Sequence, residues 1–180
     1  MLIELYEIQY RKVTYMKCLC FSDSHGATLG IRRALNMHPD AEVIFFLGDG
    51  LSDMESFVYD KTRAYIAVRG NWDTHALLGD VMVKKTDSIT LLGHRIFLTH
   101  GDLYGVKYGL DGIKQLAVDH NADIVLFGHT HQPFEKYIST DEGGYYLFNP
   151  GSIGGGFGIR PSYGVINITD KGVLLSHGFL

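Results

Sequence analysis

Five short, largely apolar runs punctuate the chain, each ending abruptly in a polar or glycine residue: Cys18 to Phe21, Val43 to Leu47, Tyr65 to Val68, Ile96 to Thr99 and Ile124 to Phe127. Runs this short and continuous read as strands buried on both faces rather than as helices. Between the first three, the periodicity changes. Ala27 to Met37 carries Leu29, Ile31 and Leu35 at helical spacing with Pro39 beyond as a stop, and Ser52-Asp53 is placed to cap a short helix through about Tyr59. With Lys17 to Phe21 as strand one and Ala64 to Val68 as strand three, the alternation of strand and helix predicts right-handed crossovers and a largely parallel first sheet.

After Asn71 the pattern turns to short β-rich segments separated by turn residues. Val81 to Lys85, Ser88 to Leu92 and Arg95 to Thr99 predict antiparallel pairing, and Leu110 to His120 is the next helix. Beyond Pro133, Phe134 to Ser139, Tyr145 to Phe148, Tyr163 to Ile168 and Val173 to His177 make the C-terminal half rich in hairpins. Both halves are satisfied by an α/β protein of four layers, an α/β/β/α sandwich in which two mixed β-sheets face each other with helices outside. With no internal repeat and no linker, residues 1–180 are expected to form one domain. Residues 1–15 are expected to be an N-terminal extension and the core to start at about Met16, so that deleting the extension leaves the fold intact.

Composition narrows the function classes. The chain has 180 residues, of which 46% are hydrophobic and 20% charged, enough for a sizeable core and unlike a disordered or fibrous protein. Its net charge of -4 is spread without blocks, so no electrostatic footprint for bulk nucleic acid or an anionic membrane is present. No apolar stretch approaches the roughly 20 residues of a membrane span, and no signal-peptide layout opens the chain, so a cytoplasmic protein is expected. Cys18 and Cys20 alternate along one strand face, poor geometry for a mutual disulfide, and are expected to pack in the core.

What the apolar runs deliver is a set of metal-ligand types. Asp23, His25, Asp49, Asn71, His100, His129 and His131 stand at or just beyond strand ends, where open α/β sheets build their sites. An isolated Gly48-Asp49 is more often a plain turn, but here it has company at four other ends. Carboxylate oxygen, imidazole nitrogen and amide oxygen without thiolate suit a hard-to-borderline divalent metal, and seven groups are too many for one ion. They divide into two four-ligand shells that share Asp49 as a bridge. Two ions about 3.5 to 4 Å apart hold and acidify a water and clamp the oxygens of an ester displaced in line at phosphorus, so the inventory points to hydrolysis of small phosphate esters.

In order, Asp23-x-His25, Gly48-Asp49, Gly70-Asn71-x-Asp73, His100-Gly101 and Gly128-His129-x-His131 resemble the motifs of the calcineurin-like metallophosphoesterase superfamily, over Met16 to about Tyr163. Asn149-Pro150-Gly151-Ser152 and the small size resemble its compact bacterial and archaeal phosphodiesterase branch. Carried over, the resemblance implies Asp23, His25, Asp49 and His131 around one metal and Asp49, Asn71, His100 and His129 around the other. It implies manganese as the expected metal, with nickel, iron or zinc as alternatives. Asp49, Asn71, His100 and Asp73 are the expected catalytic residues, and Arg69, Trp72, Ser152 and Arg160 the expected substrate contacts.

Two positions depart from the pattern. Many relatives place a His after the motif Asn, where it can protonate the leaving oxygen, but here stands Trp72, which leaves Asp73, His75 or water for that task. Asp102 stands where relatives often carry a further His, an extra carboxylate able to change metal preference. Arg69 is read either as a phosphate contact or as a partner for Asp73, and Trp72 either as a packing residue or as a surface that stacks on a nucleobase or aryl group. His38, His75, His94, His120 and His177 lie outside the motifs and are expected to be ordinary loop or surface residues. The alternatives are a phosphomonoesterase of small metabolites, or a non-catalytic scaffold like the retromer subunit of the same superfamily, which is free to lose ligands that this chain keeps. Hydrophobic strands in the second half also support a homo-oligomer.

Overall fold

The structure, a computed structural model, describes residues 14–141, 143–156 and 158–180. The expected extension therefore lies, for residues 1–13, outside the described residues. The first strand opens at Tyr15, two residues earlier than its apolar run indicates, because Tyr15 pairs with Thr169 and its hydroxyl donates to the Asn167 side-chain carbonyl at 2.7 Å.

Two five-stranded sheets carry the molecule. In the first, β1 (Tyr15–Phe21), β2 (Val43–Phe46) and β3 (Ala64–Ala67) run parallel, as the intervening helices α1 (Thr28–Met37) and α2 (Leu51–Met54) require, and β3 lies at the edge, so it is only partly buried rather than covered on both faces as expected. The second joins β7 (His94–Thr99), β8 (Ile124–Leu126) and β10 (Gly143–Pro150) in parallel, flanked by β6 (Thr86–Leu91) and β9 (Pro133–Thr140), each antiparallel to its neighbour, with α3 (Asp111–Asp119) before β8. The last hairpin, β11 (Ser162–Thr169) and β12 (Gly172–Phe179), does not extend the second sheet. It returns to the first, laying β11 antiparallel to β1, so the order there is β12, β11, β1, β2, β3. Both sheets are thus mixed, as expected, but the two halves of the chain do not map one to each sheet.

The layers follow from strand alternation. Along β1 and β2, Cys18, Cys20, Val43, Phe45 and Leu47 face Ile96, Leu98, Ile124, Leu126 and Phe148 between the sheets. Leu19, Phe21, Ile44 and Phe46 point the other way, against Ile31, Ala34 and Leu35 of α1 and Leu51 and Met54 of α2. Phe97, Val125 and Leu147 back onto Ile113, Leu116 and Ala117 of α3. Val43 to Leu47 is continuously apolar because both of its faces are buried. At roughly 1.5–3 kcal/mol per fully buried large side chain, this interlayer packing is the main stabilising term.

Several local expectations are corrected. Ser52 and Asp53 do not cap a helix to Tyr59. The helix is one turn long, starts after Gly50, and has no side-chain cap. Asp53 instead accepts hydrogen bonds from Ser24 Oγ and the Gly26 amide. The strand expected at Val81 is a small separate hairpin, β4 (Leu77–Leu78) with β5 (Val81–Met82), and the 3-10 turn Asp102–Tyr104 has no periodic signature. Among the described residues no helix is long and apolar enough to cross a membrane.

Cys18 and Cys20 are both wholly buried between the sheets. Burial, reinforced by the charge of Glu42, pushes the Cys18 thiol up to about 12, and burial pushes Cys20 well above the usual range. Since the thiolate is the reactive form, neither cysteine should react with a thiol-specific disulfide reagent at pH 8 in the native protein, and both should react on denaturation. Rapid native labelling would contradict the interlayer placement.

Candidate metal centre

The parallel strands of each sheet end on the same side, and the residues that follow them are stitched together within each sheet and across the two. The Asp23 amide donates to the Gly48 carbonyl at 2.9 Å, the Gly128 amide to the His100 carbonyl at 2.9 Å, and the Ile153 amide to the Ser22 carbonyl at 3.1 Å. His100, at the end of β7, reaches across to the Leu47 carbonyl after β2, with Nδ1 at 2.8 Å. A carbonyl only accepts, so Nδ1 carries the proton. This leaves Nε2 aimed at Asp49 and His129.

Backbone conformation marks the same residues. Among the described residues, seven non-glycine positions have left-handed φ, and five of them are Asp23, His25, Asp49, His129 and His131. Each such residue costs on the order of 1–2 kcal/mol, and clustering of that strain is a feature of functional sites. Glycine is needed where the chains pass closest. A Cβ on Gly70 would stand 2.0 Å from Asp49 Oδ1, and one on Gly48, at φ +96°, 2.3 Å from the Gly70 nitrogen.

The side chains form two adjoining groups, Asp23 with His25 and His131, and Asp49 with His100 and His129. In the first, His131 Nε2 is 3.1 Å and His25 Nε2 3.9 Å from Asp23 Oδ1, and the two imidazole nitrogens are 3.5 Å apart. In the second, His100 Nε2 lies 3.2 Å from Asp49 Oδ2 and 3.0 Å from His129 Nδ1. His100 Nε2 is also 3.9 Å from Asp23 Oδ1, so the groups touch.

Asp23 is the test of whether a metal fits. Its carboxylate is fully buried. Oδ2 accepts from Ser22 Oγ at 2.7 Å and from the His129 amide at 3.0 Å, while Oδ1 has no hydrogen-bond partner at all. A buried carboxylate oxygen left bare among three imidazole nitrogens is a donor set shaped for a cation. Burial pushes the Asp49 carboxyl up, but the hydrogen bond and charge of His100, the Trp72 amide and the charge of His25 outweigh it and hold it below the usual range. For His100, burial pulls down, and the bond to Asp49 with the charges of Asp23 and Asp49 and the Leu47 carbonyl raises it on balance. His129 is lowered, first by burial and then by the charges of His100 and Lys107.

The other expected site residues divide. Asn71 is exposed on the turn beside Asp49, and Trp72, 73% exposed, stands edge-on to His25 with ring centroids 6.3 Å apart. Asp73 is not free for proton transfer. It accepts from the amides of Asp49, Gly50, Leu51 and Gly70, all at 2.8–2.9 Å, and clamps the two turns together. Arg69 makes no ion pair with Asp73, and its Nε is buried without a partner. Ser152 is buried, donating to the Asp23 carbonyl at 2.7 Å rather than facing a ligand. Arg160 is held at the C-terminus, with Nε on the Leu180 carbonyl and the guanidinium over Phe179. His177 and His94 are not idle surface groups, since their Nε2 atoms contact the Asn149 and Thr169 carbonyls.

Reading the chain alone misses Ser22, Asp53 and Lys85. Lys85 Nζ bonds the Gly70 carbonyl at 3.0 Å and Asp102 at 3.2 Å, pairing that carboxylate. No local pattern announces this contact, which spans two sheets. Asn149, flagged by its Asn-Pro-Gly-Ser context, supports the site from behind by donating to the Gly128 carbonyl at 2.8 Å.

Because Asp73 satisfies four amides, Asp73→Ala should destabilise the protein by about 2–4 kcal/mol in denaturant unfolding. A variant as stable as the parent, with only the leaving-group dependence of any activity altered, would instead mark Asp73 as a proton donor.

Comparison with known proteins agrees with this geometry. Residues 16–171 match the calcineurin-like phosphoesterase superfamily domain. The chain is 30% identical over 138 residues to a probable metallophosphoesterase of Bacillus subtilis, YsnB, covering 77% of this chain and 75% of that one. It is 29% identical over 172 residues to the phosphodiesterase YfcE of Escherichia coli K12, covering 84% and 88%. The vacuolar protein sorting 29 structure from Cryptosporidium parvum superposes with a TM-score of 0.72 over 93% of this chain and 98% of that one, and at 16% identity it shows the shared fold alone. The chain belongs to the calcineurin-like phosphoesterase superfamily.

Proposed function

We propose that the protein is a dinuclear metallophosphoesterase acting chiefly on small phosphodiesters. The observation that carries this reading is the bare, buried Asp23 Oδ1 between two touching groups of donors. Asp23, His25, Asp49 and His131 would hold one divalent ion and Asp49, Asn71, His100 and His129 the other, with manganese the first choice and nickel, iron or zinc alternatives. Such a pair of ions, when bound, acidifies a water and neutralises charge on the phosphoryl oxygens.

The chain's own residues do the rest. The Leu47 carbonyl fixes the His100 tautomer and leaves Nε2 facing Asp49 and His129. Ser22 and the His129 amide pin one oxygen of Asp23 so that the other faces the cluster. Trp72 cannot donate a proton at pH 7 and Asp73 is occupied by amides, which leaves His75 or water to protonate the leaving oxygen. Without a built donor directly after Asn71, activated esters are favoured. A scaffold role is disfavoured because all seven candidate ligands are kept, and a cytoplasmic setting suits the reading.

Chelation followed by reloading should bring back hydrolysis of a bis-aryl phosphate together with two ions per chain by elemental analysis. Asp49→Asn should lose at least 10- to 100-fold in metal affinity or rate. One ion per chain at saturation, or an Asp49→Asn variant with full rate, would overturn the dinuclear reading. Aryl diesters should also turn over faster than alkyl monoesters in a substrate panel, and the reverse ranking would show that a proton donor has been overlooked.

A further inference from the structure

Trp72 is the one tryptophan of the chain, and it is 73% exposed. It belongs to none of the three core clusters, and His25 is its aromatic neighbour, perpendicular at 87°. A large flat side chain left in water forgoes a substantial burial energy, so its placement needs another account. Position supplies one. The His25 ring neighbours both the indole, at 6.3 Å between centroids, and His131, at 5.2 Å, so Trp72 adjoins a residue of the candidate centre.

The indole is also carried on a rigid support. Its backbone amide donates to Asp49 Oδ1 at 2.8 Å, and the turn on either side is clamped through Gly70 and Asp73. An open aromatic face at fixed reach from a phosphate-binding centre is the arrangement that stacks on planar groups.

We propose that Trp72 is a stacking platform for a planar aromatic group attached to the phosphate, an aryl ring or a nucleobase, so that the site selects aromatic over alkyl esters. This rests on the phosphoesterase reading but is separable from it. It concerns binding, and so differs from the leaving-group argument above.

The test uses ligands that separate binding from turnover. Phenylphosphonate and methylphosphonate, and adenosine 5′-monophosphate and ribose 5-phosphate, are titrated by calorimetry into the metal-loaded protein and its Trp72 variants, and the emission of the one tryptophan is followed as well in the parent. Both aromatic ligands should perturb the emission saturably and bind about 10-fold more tightly than their non-aromatic counterparts. Trp72→Ala should erase that preference, Trp72→Phe should keep part of it, and in hydrolysis of a bis-aryl ester Trp72→Ala should raise KM rather than lower kcat. Tighter adenosine 5′-monophosphate than phenylphosphonate binding would identify a nucleobase as the preferred group, and the reverse a simple aryl ring. Equal affinity for aromatic and alkyl ligands in the parent, or equal losses for both in Trp72→Ala, would overturn the proposal even if the protein hydrolyses esters. Aromatic binding with full emission change but no hydrolysis under any metal would leave the platform standing and remove the phosphoesterase reading instead.

Discussion

A buried carboxylate with one oxygen satisfied and the other bare is the constraint around which this molecule is built. Leaving a buried acceptor unpaired costs on the order of 1–3 kcal/mol, more when it is charged, and the five left-handed ligand residues add comparable strain. A marginally stable protein tolerates this only where the surroundings over-determine the geometry. Here they do, because every turn that bears a candidate ligand is tied by backbone or side-chain bonds to another.

Those ties run both between and within the sheets. The His100 bond to Leu47 and the His129 amide on Asp23 join the two sheets, the Asp73 clamp joins the turns after β2 and β3 of the first, and the interlayer core from Cys18 to Leu126 holds the strand ends that they connect. The apolar packing and the polar site are therefore one construction. Loosening the layers would release the strained turns, and removing the ties would leave the strand ends unsupported.

The kept ligand set favours catalysis over a scaffold, since a protein that only docks partners has no use for two adjoining groups of strained carboxylate and imidazole donors. The likeness to the vacuolar protein sorting 29 structure is one of fold alone, and a fold does not fix function, which resides in the residues at the strand ends.

Much of this was legible in the chain. Continuous apolar runs such as Val43 to Leu47 gave doubly buried strands because burial on both faces forbids polar alternation, and the donors following them announced the cluster through residue type and order. Local signals failed where partners are distant. Asp73, Ser152 and Arg160 read as site contacts by motif or proximity, yet four amides, the Asp23 carbonyl and the C-terminus claim them. The last hairpin carries no local signal of which sheet it joins, and it closes the free side of β1 in the first. By itself the sequence determined which residues are buried strands and which donors are available, since burial and ligand chemistry depend on side-chain type. Only the tertiary structure decided which oxygen of Asp23 stays bare, which face of Trp72 meets water and which carboxylate is spent on amides, because hydrogen-bond partners are chosen by distance in space and not along the chain.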